Sequence, residues 1–76
     1  MEINIKLFAS LRDLFGRSEI HIEYDQEITA RKVWDDINDG FFEGDILVAV
    51  NKTYAPLDKQ LCDGDEVAFF PPVTGG

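Results

Sequence analysis

The chain has few side chains on which chemistry could be built. Its 76 residues include one cysteine, Cys62, and one histidine, His21. A single cysteine excludes a disulfide within the chain and offers one thiolate, short of a zinc cage. No apolar run approaches the roughly 20 residues that span a bilayer. The opening Met1-Glu2-Ile3-Asn4 lacks the charged-then-apolar order of a secretory signal. A reducing, cytoplasmic setting is therefore expected. Basic residues are also scarce, seven against 15 acidic, giving a formal net charge of −8. Such an excess repels phosphate backbones and anionic lipid, so neither nucleic acid nor membrane is an expected partner. A protein with a basic docking surface is favoured instead, although acidity also serves solubility alone. The chain shows no repeat, no linker, no low-complexity stretch, no nucleophilic triad, no metal-ligand spacing and no phosphate-binding loop. No catalytic site of its own and no metal are expected.

What is present is a hydrophobic fraction of 45%, enough for one small core and too much for a disordered chain. Glu2 to Phe8 alternates strictly, with Ile3, Ile5 and Leu7 on one face. Ser10 is the expected N-cap of a short helix with a capping-box partner at Asp13, an apolar side of Leu11, Leu14 and Phe15, and a stop at Gly16. Glu19 to Tyr24 alternates again. Thr29 caps a second helix, in which Ala30, Val33, Trp34 and Ile37 share one face and Gly40 ends the run. Ile46 to Val50 reads as a strand. Asn51 to Tyr54 reads as a turn into a short extended piece, and Glu66 to Phe70 as the last strand after the Asp63-Gly64-Asp65 turn. Pro71 and Pro72 stop it, because neither can donate to a ladder. The fold class is α+β, one main helix packed on a mixed sheet of four or five strands. That order is the β-grasp order, and pattern alone leaves other α+β rolls open.

Alternation also predicts which side chains miss the core. With Ile3, Ile5, Leu7, Val67 and Phe69 facing the helix, Phe8, Ala68 and Phe70 face away. In the third strand, Leu47 and Ala49 face outward. One helix covers only one face of an open sheet, so Phe8, Leu47 and Phe70 predict an exposed apolar patch of the kind that binds partners. Strand twist or the short helix would be the alternative means of hiding them.

The last six residues, Pro71-Pro72-Val73-Thr74-Gly75-Gly76, form an expected flexible tail (71–76) on a body of residues 1–70. Two prolines bias its start towards an extended form, and six residues reach roughly 20 Å. Gly75 and Gly76 lack side chains, so a terminal carboxylate there passes through a narrow slot. That carboxylate is ionised and a poor electrophile at neutral pH, so chemistry on it requires activation, most simply as an acyl-adenylate made with ATP. A terminal Gly-Gly arises by chance in about one chain in two hundred, so the pair alone is a weak signal.

The run from Leu61 to Gly76, LCDGDEVAFFPPVTGG, closely resembles the C-terminus of the small-subunit family of molybdopterin synthases, ubiquitin-like sulfur carriers. Val48 to Thr53 and Ile5 to Asp13 fit the same family, whereas residues 26–45 carry little of its signature and 41–45 is short for it. The resemblance implies the ubiquitin-like β-grasp fold. It implies that a ubiquitin-activating-like adenylyltransferase uses ATP to adenylate Gly76, whose carboxylate then becomes a thiocarboxylate. It further implies that Pro71, Pro72, Val73, Thr74 and Gly75 carry the loaded terminus into the synthase's large subunit. There sulfur passes to cyclic pyranopterin monophosphate during molybdenum cofactor biosynthesis. Two small and two large subunits are expected, no cofactor is held permanently, and the family's partner-facing patch maps to Phe8, Tyr54 and Phe70. Of these, Tyr54 comes from the resemblance alone. The same carrier chemistry also fits thiazole synthesis for thiamine or tRNA thiolation, and Gly-Gly fits a ubiquitin-like protein modifier.

Other residues have simpler explanations. His21 lies beside Glu19 and Glu23 on an exposed strand face, Cys62 lacks a partner, and Trp34 has core spacing. Asp63, Asp65 and Glu66 are read as turn chemistry rather than a cation site. The role of Arg12 stays open.

Overall fold

The computed structural model describes residues 1–40 and 42–72. Strand β1 (Glu2–Leu7) leads into helix α1 (Ala9–Phe15), strand β2 (Glu19–Glu23) and helix α2 (Ala30–Asn38). Strands β3 (Leu47–Val50), β4 (Thr53–Ala55) and β5 (Glu66–Phe70) complete the chain order. The five strands form one mixed sheet in the order β2-β1-β5-β3-β4. β1 runs antiparallel to β2 and parallel to β5, and β5 runs antiparallel to β3. This is the ubiquitin-like β-grasp arrangement, with the first and last strands side by side as expected.

The core forms where the inward face of the sheet meets the helices. Ile3, Ile5, Leu7, Val48, Val50, Val67 and Phe69 of the sheet are buried against Leu11, Ala30, Val33 and Trp34. Trp34 is the hub: its ring lies 5.1 Å from Phe69 and meets Phe15 and Phe42 edge-on at 6.0 Å each. Ile20, Ile22, Tyr24 and Ile37 pack half-buried around this cluster. Since Leu11 is buried in it and Phe15 meets Trp34, α1 lies on the same side of the sheet as α2. It does not shield the outward residues.

The start of α1 corrects the sequence reading. Ser10 is not its N-cap. The chain turns directly out of β1 at Phe8, which occupies the cap position in extended conformation without a side-chain cap. The Phe8 carbonyl accepts from both Leu11 and Arg12 N–H, at 3.0 and 3.4 Å. The capping box of Ser10 and Asp13 therefore does not set the boundary, and Leu14 is exposed rather than part of the apolar side. Gly16 ends the helix as expected, at φ 71, with its N–H donating to the Arg12 carbonyl. Such left-handed backbone suits glycine. At α2, Thr29 caps as expected, its Oγ1 accepting from Lys32 N–H at 3.2 Å. The helix ends at Asn38, and its C-cap is Asp39 rather than Gly40, itself at φ 45.

The acidic turn before β5 is explained by backbone hydrogen bonding. Asp63 Oδ1 accepts from Glu2 N–H at 2.6 Å, and Asp65 Oδ2 accepts from Cys62 N–H at 2.7 Å. Asn51 reaches across from the β3–β4 turn. Its Oδ1 accepts from Glu66 N–H at 3.0 Å, and its Nδ2 donates to Asp65 Oδ1 at 2.9 Å. These bonds fasten both ends of β5's entry, so the strand that leads to Pro71 is anchored at its root. Among the described residues, no helix is long and apolar enough to cross a membrane.

Candidate functional site

The face of the sheet opposite the helices is uncovered by any other described element. Register defines its rows. Tyr54 of β4 stands opposite Ala49 of β3, Ala49 opposite Ala68 of β5, and Ala68 beside Lys6 of β1. One row on, Leu47 stands opposite Phe70. Two small alanines between larger neighbours leave a depression. Phe8, Ala49, Lys52, Tyr54, Glu66, Ala68 and Phe70 line this hollow of about 500 Å³.

Its walls are aromatic. Tyr54 is 73% exposed and Phe8 51%, although large apolar side chains ordinarily avoid water. Phe70 is half-buried because Tyr54 leans on it, the ring centroids 5.6 Å apart and the planes at 64°. Directly behind Phe70 in sequence, Phe69 is fully buried under Trp34, so alternation along β5 fixes where the Phe70 ring points. Towards β2 the apolar surface gives way to charge. Lys6 Nζ donates to Glu19 Oε1 across the β1–β2 pair. That bond raises the lysine above its usual range and holds the glutamate below its own.

The predicted interface residues thus separate. Phe8, Tyr54 and Phe70 come together in one hollow. Leu47 is outward and 39% exposed, as read from alternation, and lies at the margin in an adjoining hollow with Ile46, Tyr54 and Leu57. Ala49 and Ala68 form the floor, and their outward direction was legible from alternation. Glu66 shares that outward face by the same alternation, although it was read as turn chemistry, whereas Lys52, read as turn, had no such signal. Arg12 lines a different hollow, with Asp13, Gly16, Arg17 and Ser18. Pro71 is half-buried and Pro72 exposed, and Pro72 adjoins Arg31 and Trp34 on the helical side. The remaining tail residues, Val73, Thr74, Gly75 and Gly76, lie outside the described residues, as does Phe41.

The model of the ThiS family matches residues 5–76, the length that holds this face and the Gly-Gly end. The chain belongs to that family. Among ThiS-family relatives, it is 40% identical to the molybdopterin synthase sulfur carrier subunit of Haemophilus influenzae, over 97% of this chain and 99% of the relative. It is 39% identical to the protein of the same name from Escherichia coli, with the same coverage. Its backbone superposes on the crystal structure of SAMP1, a small archaeal modifier protein, from Haloferax volcanii with a TM-score of 0.81. The two share 29% identity over the whole of both chains.

Among the described residues, no group of three or more His, Cys, Asp or Glu is placed to hold a metal ion. Cys62 is exposed, and its backbone serves the turn rather than a ligand set. His21 is exposed opposite Asn4 at the β2 edge.

Proposed function

We propose that this chain is the sulfur-carrying small subunit of a molybdopterin synthase. It would act as a non-catalytic donor within a sulfurtransferase and work in the cytoplasm. The observation that carries the reading is the position of the aromatic hollow. Phe70, one wall of the docking face, is the last residue of a central strand, and Pro71 to Gly76 continue directly from it. A partner seated on that face therefore lies next to the residue from which the tail departs.

In this reading residues 1–70 are the body and 71–76 the arm. The Gly76 carboxylate attacks the α-phosphorus of ATP on a ubiquitin-activating-like adenylyltransferase, and pyrophosphate leaves. A sulfide-level nucleophile then forms a C–S bond at the acyl carbon, and AMP leaves with the C–O bond broken. The product is a thiocarboxylate, a soft nucleophile. Phe8, Tyr54 and Phe70, with Leu47 at the margin, dock on the large subunit, two of each subunit assembling. Pro71, Pro72, Val73, Thr74 and Gly75 deliver the sulfur to cyclic pyranopterin monophosphate. ATP is consumed by the activating enzyme, and this chain holds no permanent cofactor.

Relatives named as sulfur carrier subunits of molybdopterin synthase support this choice among carriers. Loading is tested by intact mass after incubation with activating enzyme, ATP and a sulfur source, which should show sulfur replacing one oxygen. Capture of the large subunit followed by molybdopterin formation separates this route from thiazole synthesis and tRNA thiolation. If a variant lacking Gly76 still supports the reaction at the normal rate, the proposal fails.

A second reading, a ubiquitin-like modifier, draws on the likeness to small archaeal modifier proteins. It predicts isopeptide conjugates of higher mass in cells, and their absence would count against it.

A further inference from the structure

The β3–β4 turn breaks a local rule beside the docking face. Its two central residues, Asn51 and Lys52, take φ 51 and 70, between the paired residues Val50 and Thr53. Hairpin turns with two positive φ angles favour asparagine or aspartate first and glycine second, because a Cβ is disfavoured there. Asn51 obeys that preference and also fastens the turn through Glu66 N–H and Asp65 Oδ1. Lys52 does not obey it. Nothing in the turn's hydrogen bonding requires a lysine at this position.

The lysine is also unpaired among the described residues. Lys6 and Lys32 each hold a carboxylate, whereas no described carboxylate lies within 4 Å of the Lys52 ammonium. Its side chain nevertheless lines the aromatic hollow, where it is the one positive charge among the seven lining residues. Left-handed backbone at a non-glycine residue costs stability and persists where its surroundings over-determine it, as at Ala9 and Asp39 here; at Lys52 it falls beside the aromatic hollow. On a chain of net charge −8, this cation shares the hollow with one carboxylate, Glu66, and its ammonium admits a partner's acid and repels a partner's base.

We propose that Lys52 is a specificity-determining residue of the docking face. The Asn51-fastened turn holds its ammonium at the rim of the hollow to meet a carboxylate of the partner. The inference rests on the docking reading above and adds the residue that selects among acidic and basic partners.

The test compares wild type, Lys52→Gly, Lys52→Arg, Lys52→Glu and Phe70→Ala for binding to the synthase large subunit at low and high salt. Thermal melts are recorded alongside. Expected results are an unchanged or higher melting temperature for Lys52→Gly, about fivefold weaker binding and a shallower salt dependence. Lys52→Arg should bind within about twofold of wild type, and Lys52→Glu should lose about tenfold or more. Wild-type binding by Lys52→Gly, with Phe70→Ala weakened, would overturn the role of the lysine and leave the docking reading standing. A fall in melting temperature that parallels the loss of binding would assign Lys52 to the turn alone and overturn the inference. Undiminished binding by both Lys52→Gly and Phe70→Ala would remove the docking face itself, and the lysine's role with it.

Discussion

Tyr54 and Phe70 meet edge to face across an intervening strand, their centroids 5.6 Å apart. Contact at that range is possible because the residue between them on β3 is Ala49, opposite Tyr54 in one pair and Ala68 in the other. The rings stabilise each other without closing over the floor, so an aromatic wall and a vacant space coexist.

Phe70→Ala should therefore separate binding from folding. Burial of a large side chain by a partner contributes roughly 1.5–3 kcal/mol, so affinity for the large subunit should fall at least about tenfold. Stability loses mainly the ring contact, about 0.5–1.5 kcal/mol, and the melting temperature should drop by only a few degrees. Calorimetric titration and thermal melting of the same samples check this. Equal collapse of both would show that Phe70 belongs to the core.

Ala49→Leu tests the vacancy. The added atoms point away from the core, from a half-buried position in the floor of the hollow. The fold should persist, with circular dichroism and melting close to wild type, while partner affinity falls about tenfold. Unchanged affinity would mean that no partner group enters the hollow.

Phe69→Ala should act in the opposite sense. Its side chain is fully buried against Trp34, and such truncations cost about 3–5 kcal/mol. That is a large share of the stability of a small domain, about 5–15 kcal/mol at most. Urea denaturation should place the midpoint far below that of Phe70→Ala. A loss under about 1 kcal/mol would contradict the core assignment.

Tyr24 and Asp36 give stability an acid arm and an alkaline arm. The Tyr24 hydroxyl donates to Asp36 Oδ2 at 3.0 Å, and Lys32 Nζ donates to Asp36 Oδ1 at 2.9 Å. Burial, followed by the bond to Asp36, raises the tyrosine above its ordinary value of 10.0. Its contribution is thus whole below pH 10 and is lost as pH climbs past it. Lys32 holds Asp36 below the ordinary 3.8, so that contribution is present above this pH and lost as pH falls beneath it. Asp36 is exposed enough for solvent to screen the pair, and the acid arm should be small. Tyr24→Phe should flatten the alkaline side of a stability profile measured from pH 8 to about 11. A profile with the same alkaline slope as wild type would refute the linkage.

Much of this architecture was legible in the chain. Strict alternation in β1, β2 and β5 set which residues face inward, because a period of two leaves no choice once one face is buried. Spacing of Ala30, Val33 and Trp34 did the same for α2. The start of α1 was misread because Ser10 and Asp13 resemble a capping box, while the chain had already turned at Phe8. Tertiary packing of Leu11 decided that boundary, and no local signal carries it. Tyr54 entered only through family resemblance, since a three-residue strand offers too little alternation to assign a face. Lys52 escaped because a turn residue's reach towards a hollow depends on the pairing of β3 with β4.

The central place of β5 makes one strand the joint between two halves of the sheet. Without it, β1 and β3 each lose a neighbour, and Asn51 loses the amide it fastens. Without residues 66–70 the sheet divides into a β1–β2 pair and a β3–β4 pair, so its continuity waits on the last strand of the chain order. A chain in which the two pairs are joined has therefore already set Phe70 beside Tyr54.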